Sequence, residues 1–184
     1  MDEIKKGFVQ TSSVRAILAT TKINREKVAE EEIGSMMISK KISYHPNPIH
    51  FSGGVLFLTE EPLKAYMSVI SSTLSGPIRL FPLFSLDDLR KIINHISIER
   101  VICNIRGNSS LCSEISNNLL SILSKSNNAT SLFKVALNIQ GVGEKFGFSP
   151  LPQGCENYGR ILSEKMLKKE CMDYAIFLKE KGLK

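Results

Sequence analysis

The chain has 184 residues, with 24 Lys+Arg against 18 Asp+Glu, a formal net charge of +6, and 42% hydrophobic and 23% charged residues. That is enough for one domain or two small ones, and the composition is ordinary for a soluble globular protein. No apolar run approaches the roughly 20 residues of a membrane helix, and MDEIKKGFVQ lacks the apolar segment and cleavage site of a secretion signal, so a cytoplasmic protein with no membrane partner is expected.

Residues 14–21, VRAILATT, read as a first strand, with Val14, Ala16 and Leu18 alternating against Arg15, Ile17 and Ala19. Asn24 offers an N-cap for REKVAEEEIGSMMIS, a helix whose Ala29, Ile33 and Met36/Met37 recur at helical spacing. The run Glu30-Glu31-Glu32 reads as the solvated face of that helix. In KISYHPNPIHFSGG, Pro46 and Pro48 rule out an uninterrupted central strand, and GVLFLT is a compact strand. Pro62 suits the first turn of a second helix, striped by Leu63, Tyr66/Met67, Ile70 and Leu74 and ended by Gly76-Pro77; IRLFPLF returns as a strand. This β-α-β-β-α-β order is the ferredoxin-like plan, with two helices over one face of an antiparallel sheet.

A second part begins at Ser85, where Ser85 and Asp88 form a capping signal before the stripe Leu86, Leu89, Ile93 and Ile96. ERVICNIR is a strand with Val101, Cys103 and Ile105 on one face and Ile102, Asn104 and Arg106 on the other. SEISNNLLSILSKS is a helix striped by Ile115, Leu119 and Ile122/Leu123, and a polar loop, SKSNNATS, follows. A hairpin then alternates Phe133, Val135, Leu137 and Ile139 against Lys134, Ala136, Asn138 and Gln140, turning at Gly141-Val142-Gly143. Strands on both sides of Gly141–Gly147 argue against a dinucleotide loop, and positive-φ turn positions explain Gly141 and Gly143. Core packing is expected for at least one of Phe146 and Phe148, the other remaining available to stack on a base. Residues 158–181 form one amphipathic helix, with Leu162, Met166/Leu167, Cys171, Tyr174 and Leu178 on its apolar side and Arg160, Lys165, Lys168, Lys169 and Lys179 opposite.

The cysteines Cys103, Cys112, Cys155 and Cys171 include no C-x-x-C pair and no zinc-like cluster. In a cytoplasmic chain, disulfides are not expected and Cys103 reads as a small hydrophobe. His45 and His50 flank two prolines without an evident acidic neighbour, and His95 faces outward from its helix. There is no nucleophile elbow, no phosphate-binding P-loop and no catalytic constellation, so neither a cofactor nor enzymatic activity is expected. Residues 1–84 carry 10 Lys+Arg against 8 Asp+Glu, and residues 85–184 carry 14 against 10, so the basic excess leans toward the second part.

The strand ERVICNIRGN, the helix SEISNNLLSILSKS and the hairpin LFKVALNIQGVGEKFGFSPLP together resemble the core of the THUMP domain. That RNA-binding module occurs in thiouridine synthases, RNA methyltransferases and tRNA-acetylation adaptors. The ferredoxin-like order ahead of it is similar to the arrangement in the acetylation adaptors, and the resemblance covers about residues 14–155. It implies an α/β (α+β) protein divided into a ferredoxin-like domain (1–84), a THUMP-like domain (85–157) and a C-terminal helix (158–184). It also implies non-catalytic binding of tRNA and its presentation to a cytidine acetyltransferase. The expected RNA contacts are Arg106, Gly107 and Asn108 at the strand end, Lys134 and Lys145 on the hairpin, and Arg160 on the C-terminal helix. An arginine beside backbone amides at a helix start suits a phosphate. The competing readings are a small ferredoxin-like enzyme or ligand-binding protein, and a structural subunit of a larger complex.

Overall fold

A computed structural model describes residues 13–126 and 133–184; the expected polar loop falls mostly outside them. In chain order the elements are β1 (Ala16–Thr20), α1 (Glu26–Ser39), β2 (Ile49–Phe51), β3 (Gly54–Leu58), α2 (Pro62–Ile70), β4 (Arg79–Leu83) and α3 (Leu86–Ile92). After a short 3-10 turn (Ile93–His95) come β5 (Ser97–Arg106), α4 (Ser110–Ser126), β6 (Lys134–Val142), β7 (Lys145–Leu151), α5 (Tyr158–Ser163) and α6 (Lys165–Glu180). The protein is of mixed α+β class, with two separate sheets. Its residues divide into two compact units, Arg15–Leu83 with Gly154–Lys184, and Phe84–Gln153 with the described part of Met1–Val14.

In the first unit the strands lie in the order β2-β3-β1-β4, every neighbouring pair antiparallel. With the two crossover helices this is the expected ferredoxin-like topology. Pro46 and Pro48 confine β2 to three residues at one edge, and Pro82 is tolerated because β4 is the other edge. Central β1 is buried on both faces from Ala16 to Ala19, so its alternation does not separate a wet side from a dry one.

Helix α1 buries Ala29, Ile33, Met36 and Met37 as its spacing predicts, but Asn24 is not its cap. Asn24 takes a left-handed conformation (φ 69°), and Arg25 at the N-cap position makes no capping bond from its side chain. The acidic run is also less solvated than expected. One turn before the run, Glu26 accepts the Gly53 N–H at 2.7 Å, which holds its carboxyl below the ordinary range. Glu30 lies 2.5 Å from His50 Nε2, so His50 does have an acidic neighbour. Glu32 accepts bonds from Ser75 N, Ser75 Oγ and Gly76 N at 2.6–3.1 Å, fixing the turn after α2. Partial burial pushes the Glu32 carboxyl up, but the Ser75 and Gly76 bonds outweigh it and hold the group low. Helix α2 itself ends at Ile70, before Leu74 and Gly76.

The C-terminal segment belongs to this unit, and it is two helices where one was expected. The chain leaves helical geometry at Glu164 (φ −114°, ψ 101°), between α5 and α6. The break rotates the apolar stripe, leaving Leu162 and Met166 at 39% and 79% exposure while Leu167, Cys171, Tyr174 and Leu178 stay buried. Polar bonds anchor the segment. The buried Tyr66 hydroxyl donates to Cys155 O at 2.7 Å, and the Tyr158 hydroxyl donates to Ser72 O at 2.6 Å while accepting from Leu74 N at 2.8 Å. Charge follows this division: Arg15–Leu83 and Gly154–Lys184 together carry 15 Lys+Arg against 11 Asp+Glu, and Phe84–Gln153 carries 7 against 5. The larger basic excess therefore lies with the ferredoxin-like unit.

The second unit opens with the capping box read from sequence. Ser85 Oγ accepts the Asp88 N–H at 3.3 Å and Asp88 Oδ2 accepts the Ser85 N–H at 3.2 Å, with Leu86, Leu89, Ile93 and Ile96 buried behind it. Its sheet has the order β5-β6-β7, β5 parallel to β6 and β6 antiparallel to β7. This is the helix-connected strand pair and hairpin anticipated for a THUMP-like core. Phe146 and Phe148 share one face, two residues apart on β7, and both are fully buried with rings edge to face at 6.0 Å. Neither is available to stack on a base.

Both disulfides contradict the sequence expectation: Cys103 bonds Cys112, and Cys155 bonds Cys171, with Cα–Cα distances of 5.8 and 5.6 Å. Cys103 is on β5 and Cys112 in the first turn of α4, which the parallel crossover brings back across the strand it has just left. Cys155 is in the loop before α5, onto which α6 folds back after the break at Glu164. Spacing along the chain does not disclose either juxtaposition.

Candidate nucleic-acid interface

The register of the β5-β6-β7 sheet decides which of the expected contacts can act together. Arg106 lies opposite Val142, which lies opposite Lys145, so the two cations end the same row two strands apart. At roughly 4.8 Å between neighbouring strands, that separation is about 10 Å. Lys134 is in the same alternating row but pairs with Ser97, eight positions earlier on β6. At about 3.3 Å per residue it is roughly 26 Å from the Arg106 end. There its ammonium lies 4.0 Å from Glu99.

The turn from β5 into α4 packs against the β6–β7 hairpin. Gly107 has φ 79°, a conformation open to glycine, and lets the chain leave the sheet directly after Arg106. Gly143 N donates to Arg106 O at 2.8 Å, and Asn108 Nδ2 donates to Gly143 O at 3.2 Å. Gly143 (φ 62°) takes the first of the two turn positions, where a II′-type hairpin favours glycine. Gly141 has a different role from the one expected: it is a strand residue with no positive φ, and a Cβ there would collide with the Lys145 carbonyl and the Phe146 backbone. Helix α4 starts three residues after Gly107, and the Cys103–Cys112 bond holds its first turn over the Cys103 face of β5, opposite the face that carries Arg106, so the helix start and the guanidinium are not brought together as the sequence suggested.

Arg106, Gly107, Asn108 and Lys145 are thus brought together, whereas Lys134 is not. Arg160 belongs to the other unit, where its Nε and Nη2 both contact Glu164 Oε2 at 3.0 Å. Gln140 was missed by sequence reasoning. It is buried on the Arg106 face and accepts from Arg106 Nη1 at 3.0 Å, fixing the direction of the guanidinium. The signal was available in the alternation, since Asn104, Arg106, Asn138 and Gln140 occupy one row. Two cations on one face of a sheet end can hold a phosphate by charge and hydrogen bonding.

The ferredoxin-like unit contains a cavity of about 670 Å³ lined by Leu63, Met67 and Met172, with Lys40, Lys64 and Lys179 also on its wall. Among the described residues no group of three or more His, Cys, Asp or Glu is placed to hold a metal ion, and no helix is long and apolar enough to cross a membrane.

No protein-family model matches the chain, and no curated protein matches it. Among solved structures, PH1313 from Pyrococcus horikoshii Ot3 is similar over 74% of this chain and 54% of its own, at 14% identity and a TM-score of 0.49. A protein described as a possible methylase from Clostridium difficile 630 is similar over 74% of this chain and 40% of its own, at 13% identity and a TM-score of 0.40. The chain therefore spans about half the length of these structures, or less.

Proposed function

We propose that this protein binds tRNA through the Arg106 end of the β5-β6-β7 sheet, as a non-catalytic adaptor that presents the RNA to a separate modifying enzyme. The observation that carries the reading is the register that places Arg106 and Lys145 on one face at one sheet end. Phosphate contacts of this kind recognise the backbone and shape of a folded RNA and carry little sequence information. The family resemblance extends the proposal to a cytidine acetyltransferase as partner and to the cytoplasm as the site of action. Titration with total tRNA at about 50 and 200 mM salt tests the binding: counterion release makes affinity fall steeply between them. Affinity independent of salt, or no binding at the lower concentration, refutes it. Incubation of the chain alone with tRNA and an acyl or methyl donor tests the adaptor role, and any modified product refutes that.

The cavity lined by Leu63, Met67 and Met172 favours a second reading, a ligand-binding ferredoxin-like unit. Apolar walls with a few charged groups are the usual character of small-molecule sites. Saturable binding of a small amphiphile, abolished by Met67→Arg with the fold retained, would select it; a cavity that no such amphiphile occupies would discard it.

A further inference from the structure

The two disulfides differ in accessibility and in what they enclose. Cys155 and Cys171 are fully buried. Cys103 and Cys112 are only half-buried, and the eight residues between them include Arg106, Gly107 and Asn108. Cys112 is the third residue of α4, so its bond to β5 ties the first turn of the helix to the strand that carries Arg106. Besides this bond, the turn has single hydrogen bonds of 3.2–3.3 Å (Asn108 N to Ile105 O, Leu111 N to Asn108 O, Cys112 N to Ser109 O, Ser110 Oγ to Asn108 Oδ1), the two contacts with Gly143 and the buried Leu111 side chain.

We propose that Cys103–Cys112 is a redox-modification site, reduced by dithiol proteins or small thiols, whose state sets the affinity of the Arg106 end for RNA phosphate. This rests on the tRNA-binding reading above and names the regulation of that site. A reductant thiolate attacks Cys103 Sγ, the Cys103–Cys112 bond breaks, and Cys112 departs as a thiolate stabilised by the positive end of α4. The second reductant thiol then displaces Cys103, leaving the reductant as its own disulfide and adding two electrons and two protons to the cysteine pair. The reduced turn must be ordered again at each binding event, which weakens the complex by lost preorganisation. Cys155–Cys171 stays oxidised, because no reductant sulfur can approach it in the folded unit.

The test compares oxidised protein with protein treated with dithiothreitol under native conditions, with thiol alkylation and mass spectrometry to report each pair. Labelling of Cys103 and Cys112 ahead of Cys155 and Cys171 is expected. Hydrogen exchange at residues 107–112 should quicken, and tRNA affinity should fall roughly 3- to 10-fold. The Cys103→Ser/Cys112→Ser double variant should reproduce the weak state and no longer respond to reductant. Unchanged affinity with Cys103 and Cys112 shown reduced, or earlier reduction of the buried pair, overturns the proposal. Absence of tRNA binding in both states refutes the binding reading and removes the site's proposed output, while the alkylation order and exchange rates still decide whether the pair is accessible and controls the turn.

Discussion

Removing one cation at a time separates a phosphate site at the Arg106 end from a diffuse basic surface. Arg106 and Lys145 are about 10 Å apart, near one Debye length at physiological salt, and can engage the same or adjacent phosphates. Lys134 is about 26 Å away, beyond two Debye lengths, with Glu99 beside it. Arg106→Ala and Lys145→Ala should each weaken tRNA binding by about 0.5–1.5 kcal/mol and lower the salt slope by about one. Lys134→Ala, with Lys27→Ala on α1 as control, should change affinity by less than about 0.5 kcal/mol. Fluorescence anisotropy with labelled tRNA at four salt concentrations measures both quantities, and circular dichroism checks that each variant is folded. Equal losses for Lys134→Ala and Arg106→Ala, with parallel salt slopes, would refute the assignment of binding to one end of the sheet. Unchanged affinity in all four variants would move the binding surface elsewhere, first to the basic residues of α6.

Three further outcomes follow from packing and capping. Gly141→Ala should cost about 2–3 kcal/mol, because its Cβ meets backbone that can shift only by opening the hairpin; urea denaturation measures it, and a loss under 0.5 kcal/mol would contradict the close approach. Ser85→Ala should cost about 1 kcal/mol through the capping box in the same assay, and a neutral result would show that the α3 start is stabilised mainly by packing. Because the folded Glu32 carboxyl titrates below its ordinary 4.5, its hydrogen bonds contribute stability above pH 4.5 that is lost as pH falls through the depressed value. Glu32→Gln should therefore lose about 1 kcal/mol at pH 7, discounted for exposure, and show a shallower acid transition than the wild type; identical acid transitions would refute the role given to Glu32.

Much of the fold was legible in local sequence because its signals are periodic or short-ranged. The alternation of ERVICNIR and the hairpin, the stripe of α4 and the Ser85–Asp88 capping box depend on neighbours within a few residues. Pro46 and Pro48 likewise ruled out an uninterrupted central strand, since a missing N–H is a local fact. The alternation also put Arg106 and Lys134 each in the more polar row of its strand. Only the tertiary structure set their separation, because a parallel pair can slide by two residues without changing faces and its register is fixed by packing of the crossover helix. The break at Glu164, the Glu32 clamp on the Ser75 turn and both disulfides were hidden for the same reason. Each depends on where a distant segment folds back, and neither residue type nor spacing along the chain encodes that distance.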